Sequence, residues 1–170
     1  MTAQILSGRE AADALLEELK PKVAALDPKL VVVQVGDDPA STSYIKQKVK
    51  SCDKVGMRHE HRHLQANNTF EELLTVIEEL NVDDDVTGFF VQVPLPDHLR
   101  NREPEVVKAI DPQKDIDGFC AYNLGKTFLS TELEHLPPAT PGGIIRILEH
   151  YQIDVAGKHV VVVGRSNTVG

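Results

Sequence analysis

The most constraining stretch of this chain is LVVVQV, residues 30–35. It is too short for an ordinary helix, is rich in β-branched residues and has no polar alternation, so it reads as a strand covered on both faces, as parallel sheets require. Such a strand demands helices on either side, and the flanking sequence supplies their signals. Ser7 precedes Glu10 at capping-box spacing, and Ala11, Ala14, Leu15, Leu19 and Val23 form one stripe, which predicts a helix over 8–26, bent or divided at Pro21. A second helix is expected over 40–55 and stops at Gly56. MRHEHRHL alternates as a second strand does, and the loop at 65–68 follows it. Thr69 then caps a helix whose apolar face is Phe70, Leu73, Leu74, Ile77 and Leu80. Residues 86–93 read as a third buried strand ending in PLP. This alternation predicts an α/β fold, a three-layer arrangement with mostly parallel pairing. Ligands in such folds lie beyond the carboxyl ends of the strands, where the loops VGDDPAS and VQVPLP fall.

Further along, 103–110 can form a short helix with Pro104 in its first turn. DPQKDIDGFCAYNLGK is polar and turn-rich. LEHLPPATPGG, with Pro137, Pro138 and Pro141, is the best domain-boundary segment, dividing the chain into 1–138 and 139–170. A helix over 143–150 and a strand HVVVVG are expected beyond it, followed by the glycine-containing loop GRSNTVG.

Eighteen Lys and Arg against 26 Asp and Glu, a formal net charge of −8, offer no extended positive field for a phosphate backbone, so nucleic acid is not expected as a partner. Two cysteines, Cys52 and Cys120, do not make a disulfide scaffold or a thiolate metal site. No signal-like start or membrane-length apolar run is present, which points to a cytoplasmic protein without a membrane partner.

Several residues are suited to chemistry. Tyr44 and Lys48 are four apart on one helix and share a face, so a phenol and an amine could stand over one substrate. A lysine shielded from water beside an aromatic ring can exchange protons near neutrality; the plain alternative is a solvated helix with Lys46, Lys50 and Lys54. Gln92, between apolar residues and stiffened by Pro94 and Pro96, either meets a ligand at a pocket rim or satisfies its own loop. Of Asp115 and Asp117 in KDIDGF, one carboxylate could grip a heterocycle and the other order the loop, or both could be turn residues before Gly118. Asn123 and Gly125 would continue that loop toward the pocket. His59, His61 and His63 share one strand face, an awkward geometry for closing a tetrahedral metal site, so no metal is expected. In VVVVGRSNTVG the second and third glycine positions of a dinucleotide turn hold Ser166 and Val169, with Gly170 one later; Arg165 suits an adenosine 2′-phosphate.

Taken together, VGDDPAS, the Tyr44-to-Lys48 spacing, QVPLP, KDIDGF, Asn123-Leu124-Gly125, PATPGG and GRSNTVG resemble, in this order, the signature blocks of the methylenetetrahydrofolate dehydrogenase/cyclohydrolase family. The resemblance covers essentially the whole chain. It implies a folate-binding α/β domain followed by the start of a Rossmann-type domain, within which the chain stops, and a homodimer acting on tetrahydrofolate derivatives with NADP. It implies further that Lys48 is the general acid/base, that Gln92 positions and tunes it, that Asp117 grips the pterin, and that Tyr44 packs on the folate's aromatic portion. Gly164, Arg165, Ser166 and Gly170 correspond to the cofactor loop. Two positions depart from the family pattern: Ala139 stands where a cysteine is usual, and Thr168 where an aliphatic residue is usual. The expected activity is oxidation of methylenetetrahydrofolate followed by hydrolysis of the methenyl product. The alternatives are a monofunctional relative and a noncatalytic folate-binding protein.

Overall fold

The computed structural model describes residues 4–129, 136–166 and 169. Three parallel strands, β1 (Lys29–Val35), β2 (Arg58–Leu64) and β3 (Gly88–Val91), lie in the order β2-β1-β3. The helices are α1 (Gly8–Leu26), α2 (Pro39–Val55), α3 (Phe70–Val82), α4 (Glu103–Ala109), α5 (Ala121–Leu129) and α6 (Ala139–His150), with one 3-10 turn at Arg100–Arg102.

The central strand explains the layering. Val31, Val33 and Val35 of β1 join Phe89 and Val91 of β3 in a core with Leu73, Ile77 and Leu80 of α3 and Val106 of α4. Val32 and Phe90 turn to the other face and meet Ile45 of α2. Each fully buried leucine or isoleucine contributes roughly 1.5–3 kcal/mol. The connection from β1 to β2 steps one way across the sheet and that from β2 to β3 steps back, so right-handed crossovers put α2 and α3 on opposite faces. The helices that follow the adjacent strands β1 and β3 therefore lie on opposite faces of the sheet, α2 with Ile45 on one and α4 with Val106 on the other.

Local signals work as expected at most helix ends. Ser7 Oγ accepts from Glu10 N at 3.3 Å, and Thr69 with Glu72 closes a reciprocal capping box. Asp38 caps α2 by accepting from Ser41 N at 2.7 Å. Pro21 does not divide α1; the helix runs through it, and both Pro21 and Glu17, whose carbonyl loses its usual donor, are exposed to water. The α6 helix begins at Ala139 rather than near 143, because Pro141 falls in the first turn, where the missing amide costs nothing.

Two further expectations fail. Ala121–Leu129 is a helix, not a continuation of the polar loop. Residues 159–164 form no strand: they pair with nothing among the described residues and are exposed, and an extended segment becomes a strand only beside a neighbour. Among the described residues no helix is long and apolar enough to cross a membrane.

Candidate active site

The segment after α4 is where the fold builds its site. Lys114 and Asp115 run beside β3: Phe89 N donates to Lys114 O at 2.9 Å, and Phe89 bridges Asp115 in parallel. Asn81, near the end of α3, donates to Ala109 O and accepts from Asp111 N, both at 2.8 Å. The Lys114 ammonium donates to Leu80 O and Asp83 O, where the open carbonyls of α3 favour a cation. Sequence reading passed over Asn81 and Lys114, since their partners are 28 to 34 residues away and leave no local signature.

The two aspartates divide the work. Asp115, only 2% exposed, accepts from Cys120 N at 2.8 Å and from Asn123 Nδ2 at 3.1 Å, so it orders the loop. Asn123 also donates to Pro112 O; buried on α5, it serves the scaffold and does not extend the loop toward the pocket. Asp117, two residues on, reaches the other side, where its Oδ1 is 3.9 Å from Lys48 Nζ.

Lys48 lies on the face of α2 turned toward β3, with its Nζ 3.4 Å from the centre of the Phe90 ring. Tyr44 and Lys48 line one cavity of about 620 Å³ together with Asp117, Phe90, Ile116 and the apolar side chains Leu16 and Leu19 of α1. Tyr44 is 61% exposed, leaving its ring face open to an aromatic ligand. Burial pushes the Lys48 amine below the ordinary lysine range, with the negative charge of Asp117 opposing that shift. Burial likewise raises the Asp117 carboxyl, offset by Lys48 and reinforced by Asp115. Both partners are thus drawn toward their neutral forms, a setting suited to proton transfer. A second cavity, about 650 Å³, is lined by Asp111, Tyr122, Asn123 and Lys126 among others, but holds neither Lys48 nor Asp117.

Gln92 extends β3: its N donates to Val33 O at 2.8 Å, and strand alternation sets its side chain on the Phe90 side. Its Nε2 donates to Val93 O at 2.7 Å, and its Oε1 is buried with no partner among the described residues. No direct hydrogen bond joins Gln92 to Lys48 here.

Gly164, Arg165 and Ser166 lie in the exposed terminal stretch, apart from this cavity's lining; Gly170, Asn167 and Thr168 are outside the described residues. Ser166 Oγ accepts from Val169 N at 3.0 Å, the spacing of a helix amino-terminal cap, and Arg165 makes no ion pair among the described residues. The three histidines of β2 sit on an edge strand: His61 and His63 stack with centroids 5.5 Å apart, and His63 Nε2 lies 2.9 Å from Gly36 O. Among the described residues no group of three or more metal-ligating side chains converges.

Comparison with known proteins gives matches along the chain. Residues 6–117 match the model of the tetrahydrofolate dehydrogenase/cyclohydrolase catalytic domain, and residues 138–170 that of the corresponding NAD(P)-binding domain. The "Bifunctional protein FolD" of Geobacillus thermodenitrificans is 48% identical over all of this chain and 60% of its own length. That of Thermus thermophilus is 44% identical, again over all of this chain and 60% of its own. A crystal structure of the bifunctional enzyme FolD, methylenetetrahydrofolate dehydrogenase/cyclohydrolase, from Campylobacter jejuni superposes with a TM-score of 0.90 at 39% identity, covering 98% of this chain and 60% of that one. The Trypanosoma brucei enzyme, solved with NADP cofactor and inhibitor, gives 0.91 at 29% identity, covering 100% and 59%. The chain therefore spans about 60% of the length of the relatives it matches.

Proposed function

The chain belongs to the tetrahydrofolate dehydrogenase/cyclohydrolase family, and from that premise we propose that it oxidises 5,10-methylenetetrahydrofolate to the 5,10-methenyl form with NADP and hydrolyses the product to 10-formyltetrahydrofolate. One observation carries the reading: the Lys48 amine, 3.9 Å from the Asp117 carboxylate, shares an apolar cavity with the open ring of Tyr44.

Tyr44 stacks on the aromatic portion of the folate, and Asp117 accepts N–H bonds from the pterin, so that the bridging carbon lies near Lys48. Bound at Gly164, Arg165, Ser166 and Gly170, the nicotinamide nucleotide supplies the hydride acceptor. For hydrolysis, neutral Lys48 takes a proton as water adds to the electrophilic methenyl carbon. It returns that proton to the 5-nitrogen as the bond from that nitrogen to the bridging carbon breaks, and the carbinol hydroxyl releases its own proton to water, leaving the formyl group on the 10-nitrogen. The depressed basicity of Lys48 supports this role, since an ordinary ammonium has no free base to offer near neutral pH. Gln92 steers the amine. The division at 138/139, the cytoplasmic setting and the homodimer belong to the same proposal.

The decisive experiment follows nicotinamide reduction and methenyl-folate hydrolysis in one preparation of the full-length protein and of Lys48→Met. NADP-dependent turnover plus hydrolysis, with hydrolysis selectively lost in the variant, supports the bifunctional assignment. Hydrolysis alone or reduction alone supports a monofunctional relative, and neither activity in a folded, folate-binding protein leaves a noncatalytic binder.

A further inference from the structure

The Lys48 amine makes no hydrogen bond among the described residues; Asp117 Oδ1, its charged neighbour, stands at 3.9 Å, beyond hydrogen-bond reach. Its closest partner is a ring. Nζ lies 3.4 Å from the centroid of Phe90, a contact distance that leaves no room for water between them. The fold fixes that ring in place. Phe90 is registered with Val32 of β1, and the two join Ile45 of α2 in a small core against which Ile116 packs. Strand alternation sends Phe89 the other way, into the core under α3. Phe90 is 3% exposed, and it lines the cavity that holds Lys48, Tyr44 and Asp117. Ile45 and Lys48 are three apart on α2 and so are neighbours on one face, which means that the helix packed on Phe90 also carries the amine over it.

We infer that Phe90 is a positioning residue for the hydrolysis: its ring face holds Lys48 as the ammonium and lets go of the neutral amine, so that the place of the lysine in the cavity follows its proton. The inference rests on the reading of Lys48 as the proton-transfer group. An aromatic face is negative at its centre and attracts a cation, whereas a neutral amine brings no charge to hold. Neutral Lys48 is therefore free to meet the water that adds to the methenyl carbon. The ammonium formed by that transfer rests on the ring until its proton passes to the 5-nitrogen. Asp117 also attracts the ammonium, but its carboxyl titrates, and the ring acts alike at every pH. The titratable groups that face Lys48 are Asp117, with Asp115 behind it, and Tyr44 and Cys52 of α2; α1 brings Leu16 and Leu19, β1 brings Leu30, and β3 brings Gly88 and Phe90.

The test is run on the full-length protein with ¹³C-labelled lysine, the Lys48 signal being assigned through Lys48→Met. In Phe90→Leu, which keeps apolar bulk and removes the ring, the Lys48 midpoint falls by about half to one pH unit, and the acid limb of methenyl-folate hydrolysis moves down with it. Phe90→Tyr keeps the ring face and restores the midpoint. Fluorinated phenylalanines at this position withdraw charge from the face at nearly constant shape, and they cover the case of a Leu variant that does not fold. The midpoint then falls stepwise as fluorines are added. In the wild type the ε-methylene protons of Lys48 lie upfield over the ring while the amine is charged, and they move downfield through the same midpoint. An unchanged midpoint in folded Phe90→Leu, a flat fluorine series, or an ε-methylene shift that ignores pH overturns the inference. Hydrolysis in the same samples separates the two readings: a Lys48→Met variant that hydrolyses as well as the wild type sinks the role of the lysine, while the titration still decides whether the ring holds the ammonium.

Discussion

The Nζ of Lys48 lies 3.4 Å from the centre of the Phe90 ring, inside the distance at which an aromatic face attracts a cation. That attraction and the Asp117 carboxylate oppose the desolvation that depresses the lysine. Lys48→Met is expected to lower methenyl-folate hydrolysis by roughly 10²–10⁴-fold, the usual worth of a positioned acid/base, with folate affinity within a few-fold of wild type. Stopped-flow hydrolysis and equilibrium titration with folate separate the two quantities.

The same lysine has a signature in stability against pH. Its folded value lies below its unfolded one, so between the two the unfolded chain binds more protons and stability rises with pH. Asp117 has the opposite sign: its folded value is raised, and stability falls as pH climbs from the ordinary carboxylate range through that raised value. Urea midpoints across pH should show the alkaline rise missing in Lys48→Met and the acid-side fall missing in Asp117→Asn.

Gly88 opens β3 directly against the segment that carries Asp117. A Cβ there would run into Ile116 Cγ2 and stand 3.2 Å from Lys114 O. Gly88→Ala is expected to cost about 1–3 kcal/mol through overpacking, read from urea unfolding. Because Ile116 precedes Asp117, the variant should also weaken folate binding; unchanged affinity would show that the loop slides without moving its carboxylate.

Asp115→Ala removes the acceptor shared by Cys120 N and Asn123 Nδ2. Leaving the buried Cys120 amide unpaired, and Asn123 Nδ2 with Pro112 O alone, is expected to cost about 2–4 kcal/mol. A matching drop in the urea midpoint, with protection of the 115–123 amides lost in hydrogen exchange, is the expected result.

Arg165 follows from the proposed cofactor. If its guanidinium holds a 2′-phosphate, Arg165→Ala should lower the preference for NADP over NAD by about tenfold or more, with activity on NAD little changed. Equal losses with both nucleotides would assign the side chain to the shared pyrophosphate instead.

Much of the fold was written in local chemistry. The caps of Ser7 and Thr69, the stripe of α3 and the unbroken valines of β1 are short-range signals, and the structure realises each of them. The α5 helix was not legible: AYNLGKTFL starts without a side-chain cap signal, holds Gly125 mid-run, and presents a turn-like Asn-Leu-Gly. Its anchor is Asn123 on Asp115, a contact that only the folded loop creates. The exchange of roles between Asp115 and Asp117 was open in the sequence for the same reason. Bonds from the neighbouring helix decided it. The strand expected at 159–164 required a partner strand, which no periodicity can provide.

The Tyr151 hydroxyl accepts from Ser7 N at 2.9 Å and donates to Glu10 Oε2 at the same distance, and Ile147 lies against Gly8. The first helix of the chain and the one after the proline-rich segment are thereby clamped at their ends, although 144 residues separate the bonded pair. Severing the chain at the prolines would therefore leave α6 still tied to the start of α1 through the Tyr151 hydroxyl and the Ile147 side chain.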